Sequence, residues 1–301
     1  MKMLSALLPV SLCLATMAAA DMGSIPYKKE ARIYEPSQKA LIAWNGEEQI
    51  LYLQTELSAS TRTRMLEVIP LPSKPTVEKA DPGIFKRASS LLPAKPKRHA
   101  AGDPFGAAGD NPAGRVVEVK QLGVHEIHII EALRNGEFIR WVEKHLEAAG
   151  AETKTIPDAL AKVMGEYLEE GYKWFVFDII DVERTNTKKQ PLKFRFKTDK
   201  LFYPMRITRT ERGETEAEFF ILTNILFNQE DCLGITRDDI KVPHKPIKIP
   251  AEKLTWLDPE ITKLLGNPDD AWLRNWVIKG HLQAFTQDLL IQNPATAGKA
   301  P

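Results

Sequence analysis

The sequence predicts an α+β protein: mostly antiparallel sheet, a β-α-α-β unit, helices gathered on one face and a helical C-terminal segment. Three observations carry this. Asn45-Gly46 lies between two apolar runs, a hairpin signal. Two stretches with helical apolar spacing, 137–149 and 157–170, lie between β-rich runs. Leu192-Lys193-Phe194-Arg195-Phe196-Lys197 alternates with period two, as a strand with one buried face does.

The chain starts with a basic Met1-Lys2-Met3, an apolar run from Leu4 to Met17 and the small residues Ala18-Ala19-Ala20. Residues 1–20 therefore read as a cleaved signal peptide, with the mature chain beginning near Asp21. The run is broken by Pro9 and Ser11 and is shorter than the roughly 18 residues a membrane span needs. Bulky Leu12 before Cys13, and the mid-run place of Cys13, do not fit lipid attachment. No later segment is apolar enough to span, so a soluble exported protein, periplasmic or extracellular, is expected.

Ala40–Trp44 and Gln49–Leu53 form the predicted hairpin, with a type I′ turn at Asn45-Gly46, and Met65–Ile69 is a further strand. Asp81-Pro82 opens a short helix toward Leu92. Residues 94–114 are rich in Gly, Ala, Asp and Pro and read as a flexible insert. Val116 to Ile130 is β-rich, with Gly123 as its bend.

The helix over 137–149 carries apolar Phe138, Ile139, Trp141, Val142 and Leu146 on one broad face and ends at Gly150. The helix over 157–170 starts at Pro157, buries Leu160, Val163, Met164, Tyr167 and Leu168, and ends at Gly171. Trp174–Val182 is apolar on both faces and reads as a central strand. A hairpin over 202–224 with its turn near Arg212-Gly213 is expected next, then a proline-punctuated segment from Val242 to Pro250. The end turns helical: a short helix opens at Asp258-Pro259 and ends at Gly266, and a longer one runs from about Pro268 through Trp272, Trp276 and Leu282. No internal repeat is seen. The expected organisation is residues 1–20 as signal, 21–225 as an α+β domain, and 226–301 as a helical extension packed on it.

Composition narrows the partners. Lys2 is the one charged residue among the first twenty, so the remainder carries no net charge, against +1 for the full chain. Neither a basic balance nor a long Lys/Arg run is present, which argues against nucleic acid. A chain of this length buries roughly three quarters of its unfolded surface and needs no staple. Beyond the signal, Cys232 is the single thiol, and Glu230 and Asp231 beside it disfavour the thiolate.

Tyr34-Glu35-Pro36-Ser37-Gln38-Lys39-Ala40-Leu41-Ile42-Ala43-Trp44-Asn45-Gly46 resembles the opening of an exported prokaryotic family, the domain of unknown function numbered 2330. The resemblance continues through Leu66–Pro72, Ile127–Trp141, Ile156–Trp174, Pro191–Phe196 and Leu201–Arg206, covering roughly residues 21–225. It implies an exported protein of conserved fold with no assigned activity, and it supplies no catalytic residues. Members of that family often carry further cysteines after the signal and a C-terminal membrane anchor, and this sequence shows neither.

His125-Glu126-Ile127-His128 falls one residue short of the zincin spacing. It also reads as a strand, where residues three apart point to opposite faces, so zinc would need distant ligands such as His145. Asp178 stands on a strand face with Trp174, Val176, Ile180 and Val182. A carboxylate buried there must be paired, hydrogen-bonded or neutral, with Arg195 or Arg206 as the expected partner; the other readings are a functional acid and an exposed sheet face.

Lys193, Arg195 and Lys197 form a basic face toward water or an anionic partner, and Trp256, Trp272 and Trp276 form either core or a binding platform. No nucleophile elbow, phosphate loop, dinucleotide fingerprint or Cys-x-x-Cys pair occurs. No catalytic, cofactor or metal residue is assigned on this basis. The expectation is a non-enzymatic exported binding or accessory protein for a protein or small-molecule ligand. The alternative is a hydrolase using carboxylate or imidazole chemistry near Asp178 or His125.

Overall fold

In chain order the computed structural model contains β1 (Ser24–Pro26), β2 (Ile33–Trp44), β3 (Glu48–Ala59), β4 (Thr63–Leu71), β5 (Thr76–Lys79) and α1 (Ile84–Leu91). Then come β6 (Gly114–Leu122), β7 (His125–Ala132), α2 (Asn135–Ala148), α3 (Asp158–Glu169), β8 (Trp174–Val182), β9 (Thr187–Lys188), β10 (Leu192–Lys197) and β11 (Lys200–Tyr203). β12 (Glu214–Thr223), β13 (Ile240–Pro250), α4 (Ala251–Leu257), α5 (Pro259–Leu264), β14 (Asp270–His281) and β15 (Leu289–Gln292) complete it. The structure describes residues 23–93, 114–211, 213–235 and 237–293. The expected signal peptide, nearly all of the expected insert and the last eight residues lie outside them.

The strands form a five-stranded sheet in the order β1-β4-β8-β7-β6, a larger sheet in the order β13-β14-β12-β2-β3-β10-β5 with β9 beside β3, and a small β11-β15 pair. The strand pairs among the described residues are antiparallel except β12 with β2, which run parallel from Glu216 opposite Ser37 to Thr223 opposite Trp44.

Period-two alternation sorts each strand between two layers. On β8, Phe175, Phe177 and Ile179 face α2, where Phe138 meets Phe175 and Trp141 meets Phe177. Val176, Asp178 and Ile180 face the larger sheet instead. On the larger sheet, Ile42, Leu51, Phe194, Phe219 and Trp276 belong to the main core between the sheets. Leu41, Tyr52, Phe220 and Leu273 point the other way, into a second core roofed by α1, α4 and α5. Each fully buried side chain of this size contributes about 1.5–3 kcal/mol.

The helices therefore lie on both outer faces, not on one. A sheet that is apolar on both sides needs cover on both, and α3 packs beside α2 against a short 3₁₀ turn, Arg206–Thr210.

Three further expectations are corrected. The helix over 268–282 is the strand β14, zipped between β12 and β13 inside the larger sheet. Its Trp272 and Trp276 mimic helical spacing, but Trp, Val and Ile also suit strands, and the actual alternation puts Ala271 and Leu273 in the outer core and Trp276 and Ile278 in the inner one. The C-terminal segment is thus two short helices set among strands that complete the sheets.

The hairpin over 202–224 does not form: β11 pairs with β15, and β12 with β2 and β14. The turn after Trp44 is not type I′. Gly46 takes φ 102°, but Asn45 does not have positive φ; its Oδ1 accepts from the N–H groups of Glu47 and Glu48. The helix ends at Gly150, Gly171 and Gly266 hold positive φ of 78°, 89° and 80°, and Asp258 caps α5 through the Glu260 N–H.

Candidate functional site

Asp178 sits mid-strand on β8, opposite Glu67 of β4 on one side and Ile127 of β7 on the other. Two residues before Ile127 on the same face is His125, so the alternation that buries Asp178 also brings that imidazole to it. His125 Nδ1 lies 2.6 Å from Asp178 Oδ2, and Nε2 lies 2.9 Å from the Gln190 carbonyl oxygen. Neither side chain is more than 4 % exposed. Arg195, the expected partner, occupies the outward face of β10, and Arg206 is paired elsewhere; the partner of Asp178 is His125.

Protons in this pair can be counted. The Gln190 carbonyl only accepts, so Nε2 carries a proton. Two lone pairs cannot approach to 2.6 Å, so a second proton lies between Nδ1 and Oδ2. With that proton on either atom, the pair is neutral as a unit. Both ring nitrogens are occupied, so the imidazole is not poised as a base.

Beside it, Lys189 donates to the Asp181 carbonyl at 2.6 Å. Burial pulls its ammonium below the ordinary lysine range, against the attraction of Asp178 and Glu67. The cavity that these residues line with Thr55 and Leu53 measures about 10 Å³, room for one water molecule and no substrate.

His128 points to the opposite face, as the strand reading requires. Its Nε2 is 2.9 Å from Glu126 Oε1, and Arg64 holds the other Glu126 oxygen at 2.7 Å. His145 of α2 crosses the His128 ring edge-on at 5.1 Å. Among the described residues no group of three or more His, Cys, Asp or Glu is placed to hold a metal.

The basic face of β10 is matched by acids. Lys193 pairs with Glu78 and Glu260; burial works against its charge, but these partners raise its pKa. Arg195 forks onto both oxygens of Glu48, at 3.0 and 2.7 Å, and that bond holds the Glu48 carboxyl below its usual range. Lys197 is exposed. Beside these residues is an open groove of about 370 Å³ lined by Glu48, Ser73, Lys74, Thr76, Arg195, Phe196 and Lys197.

A third cluster joins α3 to the chain before β15. Asp288 accepts from the Tyr167 hydroxyl at 2.6 Å and from the Arg206 N–H at 2.9 Å, and the Arg206 guanidinium also binds Glu170. Burial pushes the Asp288 carboxyl up to about 6, although Tyr167 and Arg206 oppose the rise. On β14, buried Arg274 donates to the carbonyls of Phe227 and Ile225 at 2.9 and 3.0 Å and lies 3.9 Å over the Phe227 ring. Burial lowers its pKa to about 10.

The tryptophans do not form one platform. Trp276 is core, while Trp256 is exposed on α4, in the outer helical layer. Cys232 is half-buried, and burial, with Asp231 and Glu230 adding, pushes its thiol up to about 12, so it is no nucleophile at neutral pH.

Glu67, Lys189 and Asp288 were not singled out from sequence. Glu67 carried the signal that marked Asp178, a carboxylate within an apolar strand run. Lys189 lies in the polar stretch Lys188-Lys189-Gln190 and Asp288 in a loop, where nothing marks burial.

A family model described as an uncharacterised protein conserved in bacteria, DUF2330, matches residues 16–264. No curated protein matches the chain. Among solved structures, that of a mutated baculovirus P35 after caspase cleavage is similar over 85 % of this chain and 97 % of its own. At 9 % identity and a TM-score of 0.40 that likeness carries no argument.

Proposed function

The chain belongs to DUF2330, a bacterial family described as uncharacterised, and from that premise we propose that it is an exported, non-catalytic binding or accessory protein of the periplasm or cell surface. The observation that supports this is the state of the acid–base residues. Asp178 and His125 are charge-balanced with each other, engaged at both ring nitrogens, and closed off behind a cavity of about 10 Å³. A hydrolase needs a base within reach of a substrate. The open surface instead offers a groove lined by three cations, two hydroxyls, Phe196 and one acid, Glu48. Among the described residues no helix is long and apolar enough to cross a membrane. Export rests on the signal-like residues 1–20.

Two measurements test the reading. Native mass spectrometry on protein purified from the envelope fraction of its host should show a chain beginning near Asp21 with a retained or exchangeable ligand. The Asp178→Asn protein should lose stability and no activity. An ester, glycoside, phosphate or peptide turnover that disappears in a normally folded Asp178→Asn protein would overturn it.

A further inference from the structure

We propose that the groove at the end of β10 is a binding site for a small anionic ligand bearing a carboxylate or phosphate group. This rests on the binding-protein reading above and names its ligand class.

The groove follows from how two strands part. β5 stays paired with β10 only as far as Thr76 opposite Arg195. Beyond that point Phe196 and Lys197 keep β3 on one side, opposite Gln49 and Glu48, while the chain through Ser73 and Lys74 forms the far wall. Ser73 Oγ donates to the Lys197 carbonyl at 2.8 Å and ties the two walls together. The volume, about 370 Å³, lies at the small end of the range for ligand sites.

Its charge is one-sided. Glu48 is the only acid of the lining, and Arg195 takes both of its oxygens. Arg195 is in turn fixed by that fork and, through Nη1, by Glu260 at 3.6 Å, so its guanidinium lines the groove in a set position. Lys74 and Lys197 have no carboxylate within ion-pair distance among the described residues; Lys74 Nζ lies 5.9 Å over the Trp174 ring. Lys74, Lys197 (opposite Glu48 in the register), a fixed guanidinium and the Thr76 hydroxyl line one concavity, with three cations to one acid. That is the complement of an oxyanion with polar substituents. Every other strong charge pair described above is closed on itself.

Isothermal titration with citrate, glucose 6-phosphate, inorganic phosphate and uncharged glucose tests this, at low and high salt. At least one anion should bind and glucose should not, with affinity falling as salt rises. A preference for citrate identifies the carboxylate as the recognised group, and a preference for the two phosphates identifies the phosphoryl; either supports the site. The Lys74→Glu/Lys197→Glu double variant should keep its melting temperature and lose affinity by about tenfold or more, while Lys144→Glu on the exposed face of α2 should bind unchanged. Absence of anion binding by the folded protein, or equal binding by the double variant, overturns the assignment and leaves the binding-protein reading standing. Consumption of a bound anion supports the groove and overturns the non-catalytic reading instead.

Discussion

The His125–Asp178 cluster and the basic face of β10 both set ionisable side chains on alternating strands, one in each of the two sheets, and they come to opposite ends. At β8 the alternation turns a carboxylate inward, between two sheets. There the surrounding groups must cancel its charge, and an imidazole on β7 does so, with Glu67 and Lys189 lining the same small cavity. At β10 the inward positions are Leu192, Phe194 and Phe196, and the charged residues between them face outward. Outward charges need not cancel, because water screens what partners do not. Lys197 and Lys74 are left over, beside an opening. A charged side chain here is read by the face it occupies. Inward, it fixes how the sheets stack; outward, it is available to a ligand.

The largest expected effect tests the inward half. Asp178→Leu removes the acceptor and leaves the buried His125 Nδ1 without its partner among apolar neighbours, so unfolding in urea should show a loss of about 3–5 kcal/mol. His125→Leu should cost a similar amount by leaving the carboxylate alone. The double variant His125→Leu/Asp178→Leu removes both partners together and should lose clearly less than the sum of the two. A strictly additive double variant would break the claim that the two groups form one neutral unit.

The same contrast explains what could be read from residues alone. The β6-β7-α2-α3-β8 stretch was legible because its signals are local: apolar stripes at helical spacing, and glycines at 150 and 171 where positive φ ends a helix. Strand β14 was not, because its structure is set by β12 and β13 on either side, and Trp272 and Trp276 satisfy a helical and a strand pattern equally. Asp178 stood out as a carboxylate in an apolar run, but its partner was sought on the wrong face. The period that turns Phe194 inward turns Arg195 outward, and the period that places Ile127 opposite Asp178 turns His125 toward it. Lys189 is held under the sheet only by the path of the β9–β10 connection, which no short pattern encodes.

Asp288 lies between the two extremes, since its network starts in the core at Tyr167 and ends at half-exposed Glu170. With its carboxyl pushed up to about 6 from 3.8, the folded protein holds that proton more tightly than the unfolded chain. The folded state therefore binds more protons between about pH 4 and 6, and this group's contribution to stability falls as pH rises through that window. The whole effect is at most about 3 kcal/mol. Asp288→Asn still accepts from Tyr167 and Arg206 but does not titrate. The melting temperature of the variant relative to the unsubstituted protein should thus be more favourable at pH 7 than at pH 4. A difference that runs the other way would mean that Arg206, not burial, governs the carboxyl.

The smallest expected effect tests the outward half. Glu48 and Arg195 are about 30 % exposed, so their ion pair is screened, and Glu48→Gln should change stability by about 0.2–1 kcal/mol. Its consequence should appear in binding instead. With the carboxylate gone, the net positive charge of the groove rises by one unit and the Arg195 edge that forked onto Glu48 is freed. Affinity for an anion should rise at low salt, and the gain should shrink at high salt as screening takes over. A loss of affinity in Glu48→Gln, with the fold intact, would show that the fork orienting Arg195 matters more than the charge it removes. A stability loss as large as that of Asp178→Leu would erase the distinction between the two faces.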